Sequence, residues 1–246
     1  MHDIPWLIAG LVFMLAGMVK GVTGMGLPTV AIALLGLLMP LPAAAALLIV
    51  PSLVTNLMQI LAGPALGEAL RRLWPMLACI LAGTLAASGS LLANPQRATC
   101  ALGAALALYA LLALFVADLR IPPAAEKWLS PLAGGLTGLL TGATGVFVLP
   151  AVPYLQALSM EKARLVQALG VSFTASTLAL WAGLTLRGAG EPIALAASGW
   201  LTLPALAGMW VGQKAGRRLT PAAFRRGFLW VLLLLGLELG LRPLLG

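Results

Sequence analysis

Ten apolar runs follow one another along the chain, separated by short clusters of charge, proline and glycine. They lie near Ile4 to Val19, Leu27 to Met39, Ala43 to Ile60, Leu73 to Leu92, Ala98 to Val116, Trp128 to Leu140, Val146 to Leu158, Leu165 to Thr185, Ile193 to Val211 and Phe224 to Leu241. None alternates polar and apolar positions as a half-buried strand would. In lipid a backbone must satisfy its own hydrogen bonds, so a helix is the expectation for every run. A full crossing takes about 20 apolar residues. The second, sixth and seventh runs fall short of that, which favours half-helices or a re-entrant hairpin at those places. The pattern predicts an all-α polytopic membrane protein, with a single transmembrane domain over residues 1–246.

The runs repeat. Gly21-Val22-Thr23-Gly24-Met25-Gly26 is answered by Gly138-Leu139-Leu140-Thr141-Gly142-Ala143-Thr144-Gly145, with Thr23-Gly24 over Thr141-Gly142. Leu61-Ala62-Gly63 is answered by Trp181-Ala182-Gly183, and a helix start at Pro95 by one at Pro221. The offsets of 118, 120 and 126 residues stay near half the chain, which predicts two repeats of about five segments each, over about 1–120 and 121–246.

Charge decides how the repeats relate. If all ten runs alternate in direction, one side collects Arg71, Arg72, Arg120, Lys127, Lys162, Arg164, Lys214, Arg217, Arg218, Arg225 and Arg226, and the other only Arg97, Arg187 and Arg242. Merging the first two runs of each repeat into one broken span splits the same cations six against eight. The positive-inside rule selects alternation. An odd number of segments per repeat then makes the second copy inverted, with both termini extracytoplasmic.

Composition removes most other classes. Hydrophobic residues make up 61% of 246 and charged ones 9%, with mean hydropathy +1.03. The longest polar break, Ala117 to Lys127, leaves no room for a separate catalytic or nucleic-acid-binding domain. The net charge of +8 is therefore read as charge beside lipid headgroups. Met1-His2-Asp3 lacks the basic flank of a cleavable signal, so the first run is expected to stay in the mature protein. Cys79 and Cys100 stand alone in apolar runs and are read as small core residues. His2 is the only histidine, which argues against His-based catalysis and a His-ligated metal. Ser88-Gly89-Ser90 has no histidine to activate it. The expectation is neither an enzyme nor a metal or cofactor protein.

Candidate chemistry gathers at the two glycine turns, Lys20 to Pro28 and Thr141 to Pro150. Matched glycine-broken segments in inverted repeats are how secondary carriers build a site for a solute, with free N–H groups facing an anion. The candidate binding residues are Lys20, Thr23, Gly24, Gly26, Asn56, Gln59, Thr141, Gly142, Thr144 and Gly145. A plainer reading of Gly21, Gly24, Gly26, Gly138, Gly142 and Gly145 is close helix packing. Lys20 is the one cation away from a predicted membrane edge, which makes it functional by default unless it snorkels to the headgroups. Ser52, Thr55, Asn56 and Gln59 share one helical stripe, with Gln167, Ser172, Thr174 and Ser176 in the counterpart region. Asn56 and Gln59 stand out because an idle amide is costly in lipid. The acids Asp3, Glu68, Asp118, Glu126, Glu161 and Glu191 fall at edges, and Glu238 is expected to pair with Arg242 one helical turn on.

The two turns, Lys20-Gly21-Val22-Thr23-Gly24-Met25-Gly26-Leu27-Pro28 and Thr141-Gly142-Ala143-Thr144-Gly145 to Pro150, sit on a nearly loopless hydrophobic chain. Together with Pro51 to Asn56, they resemble the TauE/SafE sulfite exporter family over essentially the whole length. The second turn departs from the family's usual double glycine in having Thr144-Gly145. The resemblance implies a bacterial inner-membrane carrier for sulfite, sulfoacetate or other organosulfonates, with about eight crossings, a number that ten segments fit only if two pairs of them re-enter. The expected function is export of a small anionic solute by alternating access, with membrane lipid as the surroundings and no nucleic acid partner. The alternatives are a carrier for another oxyanion or a short carboxylate, and a non-transporting scaffold. Oligomeric state is not readable from these residues.

Overall fold

A computed structural model describes residues 6–115, 120–188, 192–216 and 221–245. His2, Asp3, Asp118, Glu191, Arg217 and Arg218 lie outside the described residues. Every regular element among them is a helix: α1 (Trp6–Thr23), α2 (Leu27–Gly36), α3 (Leu41–Leu47), α4 (Ile49–Ala62), α5 (Leu66–Ala93), α6 (Pro95–Phe115), α7 (Pro123–Thr144), α8 (Ala151–Ala157), α9 (Lys162–Leu186), α10 (Pro192–Ala215) and α11 (Pro221–Leu245). The protein is thus all-α and polytopic in character. α1, α5, α6 and α9 are each long and apolar enough to cross a membrane, and α3 with α4 makes a fifth such unit, bent by 43°.

Local chemistry explains the boundaries. Proline opens α6, α7, α10 and α11, where its missing N–H costs nothing. Ahead of α6, the Asn94 carboxamide oxygen accepts the Arg97 N–H at 3.0 Å, the usual polar cap of a helix start. With 10 and 7 residues, α2 and α8 reach only about 15 and 10 Å at 1.5 Å per residue, well short of a ~30 Å hydrocarbon core.

Two runs depart from the expectation of one helix each. Ala43 to Ile60 is broken at Leu48, because Pro51 has no N–H to donate to the Leu47 carbonyl. Ser198 of α10 repairs the gap. Its hydroxyl donates to Leu47 O at 2.6 Å and accepts the Val50 N–H at 3.0 Å. Val146 to Leu158 begins with five non-helical residues before α8, and Val146, Phe147, Val148 and Leu149 are all buried there. Irregular backbone at this depth is tolerated because protein, not lipid, surrounds it.

Packing crosses between the halves. α1 lies along α10, α5 along α7, α6 along α11 and α4 along α9. The first two seams are backbone against backbone. A Cβ on Gly17 or Gly21 would overlap carbonyls of α10, and one on Gly208 or Gly212 would overlap carbonyls of α1. In the other seam a Cβ on Gly134, Gly138 or Gly142 would meet α5, at 2.5 Å from the Ile80 oxygen in the case of Gly138. The packing reading thus holds for Gly21, Gly138 and Gly142.

Ion pairs mark one end of the bundle. Arg72 in α5 pairs with Glu126 in α7 at 2.6 Å, and Arg164 in α9 pairs with Glu68 in α5 at 2.8 Å. The starts of α5, α7 and α9 therefore lie together, carrying Arg71, Arg72, Lys127, Lys162 and Arg164 of the predicted basic side. At the far ends of α9 and α5, Arg187 donates to Ser88 Oγ at 3.1 Å. Arg242 donates to the Leu37 carbonyl at 3.0 Å. The expected Glu238–Arg242 pair is not formed among the described residues. The α2 carbonyl end comes within reach of Arg242 and takes its place. All seven tryptophans face outward, as rings anchored at a membrane interface do. Cys79 and Cys100 are unpaired and half-buried.

Candidate functional site

The last turn of α1 brings Lys20 against α4. Its side chain is 1% exposed, so it does not snorkel to the headgroups. Its ammonium donates to Thr55 Oγ1 at 3.1 Å and to the Asn56 Oδ1. Thr55 in turn donates to the Pro51 carbonyl at 2.7 Å. Helical spacing puts Ser52, Thr55, Asn56 and Gln59 on one stripe of α4, and all four are buried. A cation, two amides and two hydroxyls thus share one apolar surrounding. Within the protein, Asn56 Nδ2, Gln59 Oε1 and Ser52 Oγ have no hydrogen-bond partner. Idle buried polar groups of this kind, two donors and one acceptor, call for a reason.

The chain after Lys20 turns on Gly24. This residue adopts φ +78°, in the left-handed region that Gly enters without steric cost. Its N–H donates to the Lys20 carbonyl at 2.8 Å, and its own carbonyl accepts from Gln59 Nε2. Thr23 Oγ1 accepts the Met25 N–H at 3.2 Å. Gly26, at φ +103°, then precedes α2, and its carbonyl accepts the Val30 N–H at 2.8 Å.

The second turn is built the same way, three residues later than the sequence comparison placed it. α7 ends at Thr144, and Gly145 takes φ +76° with its N–H on the Thr141 carbonyl at 2.8 Å. Thr144 Oγ1 accepts the Val146 N–H at 3.2 Å, as Thr23 does for Met25. Gly24 therefore matches Gly145, and Lys20 matches Thr141. The hydroxyl of Thr141 stands within 2.7 Å of the Thr137 carbonyl and 3.1 Å of the Val146 carbonyl. Gly142 lies inside α7, in the seam with α5, and not on the turn.

The structure thus joins Lys20, Gly24, Asn56 and Gln59 in one cluster, with Thr23 and Gly26 on the same turn outside it and Thr141, Thr144 and Gly145 at the counterpart turn. On α9, Gly170 is packed against Asn56 and Gln59. Gln167 bridges backbone, donating to the Ile60 carbonyl at 2.8 Å and accepting the Ala65 N–H at 2.9 Å. Thr174 bonds back to the Gly170 carbonyl. Ser172 and Ser176 are buried with unpartnered hydroxyls. Ser198 was not legible as a site-supporting residue, although the Leu47 carbonyl freed by Pro51 signals that some donor must come.

Chemically, the cluster offers a positive charge and spare N–H and O–H donors, with no carboxylate bonded to Lys20 among the described residues. No curated protein and no solved structure matches the chain. A family model described as sulfite exporter TauE/SafE matches residues 9–239, which include the two glycine turns, the α4 stripe and both glycine seams. The chain belongs to the TauE/SafE sulfite exporter family.

Proposed function

We propose that this protein is a secondary carrier exporting a small sulfur oxyanion, sulfite or an organosulfonate, bound at the Lys20–Asn56–Gln59 cluster. One observation carries the reading. The Lys20 ammonium is buried on neutral partners, and a buried cation without a counter-charge is strongly penalised. An oxyanion supplies that charge. It would take the third Lys20 N–H, the idle Asn56 amide hydrogens and the Ser52 hydroxyl as donors.

The exchange of partners between halves supports inverted repeats in one transmembrane domain. α1 lies on α10 as α7 lies on α5, and the self-matched pairs α4 with α9 and α6 with α11 run between the halves. The matched Gly24 and Gly145 turns support the same symmetry. The basic end then faces the cytoplasm of a bacterial inner membrane, with both termini outside. Alternating access follows from two matched broken segments around one site. With no coupled ion, each charge moved is worth about 2.3 kcal/mol per 100 mV, and an inside-negative potential drives an anion outward.

The test is efflux of labelled sulfite, sulfoacetate and taurine from liposomes under a potassium-diffusion potential. Potential-dependent efflux of one anion, reduced in Lys20→Ala, is expected. Flux that ignores the potential and follows a proton or sodium gradient would overturn the uniport reading. Absence of flux for all three solutes would remove the substrate class.

A further inference from the structure

A cavity of about 210 Å3 lies against the outer side of the Gly24 turn, at the end of the bundle where α9 and α11 begin. Thr23 and Met25 line it, while the Gly24 carbonyl between them is held by Gln59 of the cluster. The turn is therefore a shared wall between cavity and cluster. At ~30 Å3 per water the space holds about seven waters, enough for a small oxyanion with part of its hydration shell.

The polar lining is one-sided. Lys162 from α9 and Arg225 from α11 both border the cavity, and no carboxylate does. Neither cation is in an ion pair among the described residues, although Arg72 and Arg164 at the same end are both paired. The neighbouring cavity of about 340 Å3 is different in kind, bordered by Glu68 and Glu161 as well as Arg72 and Arg164. Deeper in the smaller cavity the buried Tyr109 hydroxyl has the Met25 thioether at 3.6 Å as its partner, a weak acceptor that leaves the O–H free to turn to a better one. Gln156 adds an amide. A cleft lined by one sign of charge, with low-dielectric walls, concentrates ions of the other sign.

We propose that this cavity is a second anion site, a loading chamber on the basic side of the Gly24 turn that takes a small sulfonate or similar oxyanion before it reaches Lys20. Lys162 and Arg225 select the charge, and Tyr109 and Gln156 donate hydrogen bonds. The assignment of a sulfur anion rests on the proposed transport function. The anion-selective character of the cavity does not, and it can be read without transport.

The experiment uses the full chain in nanodiscs, with Cys79 and Cys100 replaced by alanine and a thiol placed in the cavity wall as Val166→Cys, or Leu165→Cys if the first variant folds poorly. Modification rates are compared for a negatively and a positively charged methanethiosulfonate reagent. The anionic reagent is expected to react about tenfold faster at low salt, and Lys162→Gln with Arg225→Gln to bring the ratio close to 1. Sulfoacetate is expected to slow modification beyond an equal ionic strength of choline chloride. Equal rates for the two reagents, or a preference unchanged by the double substitution, would overturn the proposal. A charge preference with sulfoacetate protection in a protein that moves no sulfur anion would uphold the site while sinking the transport reading.

Discussion

Gly24 and Gly145 hold the same backbone geometry at the same place in two different helices. Each follows a threonine at a helix end, takes a positive φ of 78° or 76°, and donates its N–H to a carbonyl four residues back. At the position of that carbonyl one turn carries Lys20 and the other Thr141. The two turns share a frame and differ in charge.

The frame itself is testable. Gly24→Ala and Gly145→Ala force a side chain into the left-handed region, at about 1 to 2 kcal/mol each. Gly145→Ala is expected to cost more, because its Cβ would come 2.6 Å from Ile32 Cδ1. Unfolding midpoints in detergent measure both, and an unchanged midpoint for Gly145→Ala would contradict the geometry.

In the cluster, Asn56→Ala removes one acceptor of the Lys20 ammonium. Leaving a buried charged donor short of a partner costs about 1 to 3 kcal/mol. Anion efflux is expected to fall at least fivefold, with Asn56→Asp worse still, because an internal carboxylate would compete with the substrate for Lys20. Initial rates against substrate concentration separate lost affinity from lost turnover.

The seams make a sharper contrast. Gly208→Leu or Gly212→Leu would push a side chain into the carbonyls of α1, and overpacking of this kind costs at least about 1 to 3 kcal/mol. A Cβ on Gly10, by contrast, meets nothing within 4 Å, so Gly10→Ala is expected to stay within about 0.5 kcal/mol of the parent. Folded yield and thermal stability of the variants side by side check this.

Ser198→Ala deletes the hydroxyl that serves Leu47 and Val50 together. The buried Leu47 carbonyl and the partly buried Val50 N–H lose their partner, for an expected loss of about 1 to 3 kcal/mol. Ser198→Thr keeps the hydroxyl and is expected to recover part of it. A Ser198→Ala protein as stable as the parent would mean that the bend between α3 and α4 needs no such bridge.

The ion pairs at the basic end are a different case. Arg164 and Glu68 have side chains about half exposed, and exposed pairs contribute roughly 0 to 1 kcal/mol. Glu68→Gln is expected to leave the unfolding midpoint nearly unchanged.

Apolar run length and punctuation made the helices readable, the first glycine turn pointed to Lys20, and the polar stripe after Pro51 pointed to Asn56 and Gln59. The repeat register slipped because Thr-Gly occurs three times in the second copy, at Thr137-Gly138, Thr141-Gly142 and Thr144-Gly145. Only the positive φ of Gly145 tells them apart, and all three pairs sit in an unbroken apolar context. Val146 to Pro150 read as helix because hydropathy is blind to backbone shape once a segment is buried in protein. Glu238 and Arg242 have the spacing of a helical pair, but the Leu37 carbonyl, brought in from another part of the chain, takes the guanidinium instead. The Lys162 and Arg225 cavity was hidden for a related reason: cations at helix starts orient a membrane chain, and nothing in their spacing says that two of them border one space.

The glycine face of α1 also sets a timetable for biogenesis. Its partner α10 begins at Pro192, 186 positions after α1 does. At about 5 to 20 residues per second, a ribosome takes roughly 10 to 40 s to make that stretch. Through that interval α1 sits in the bilayer with lipid tails pressed against backbone that is later covered by another helix. α5 waits a much shorter time for α7, so the α5–α7 seam can close first and α1 is among the last helices to settle. The cluster around Lys20 is therefore assembled at the end of synthesis, and a chain cut short before α10 carries the residues of the site without the seam that holds α1 in place.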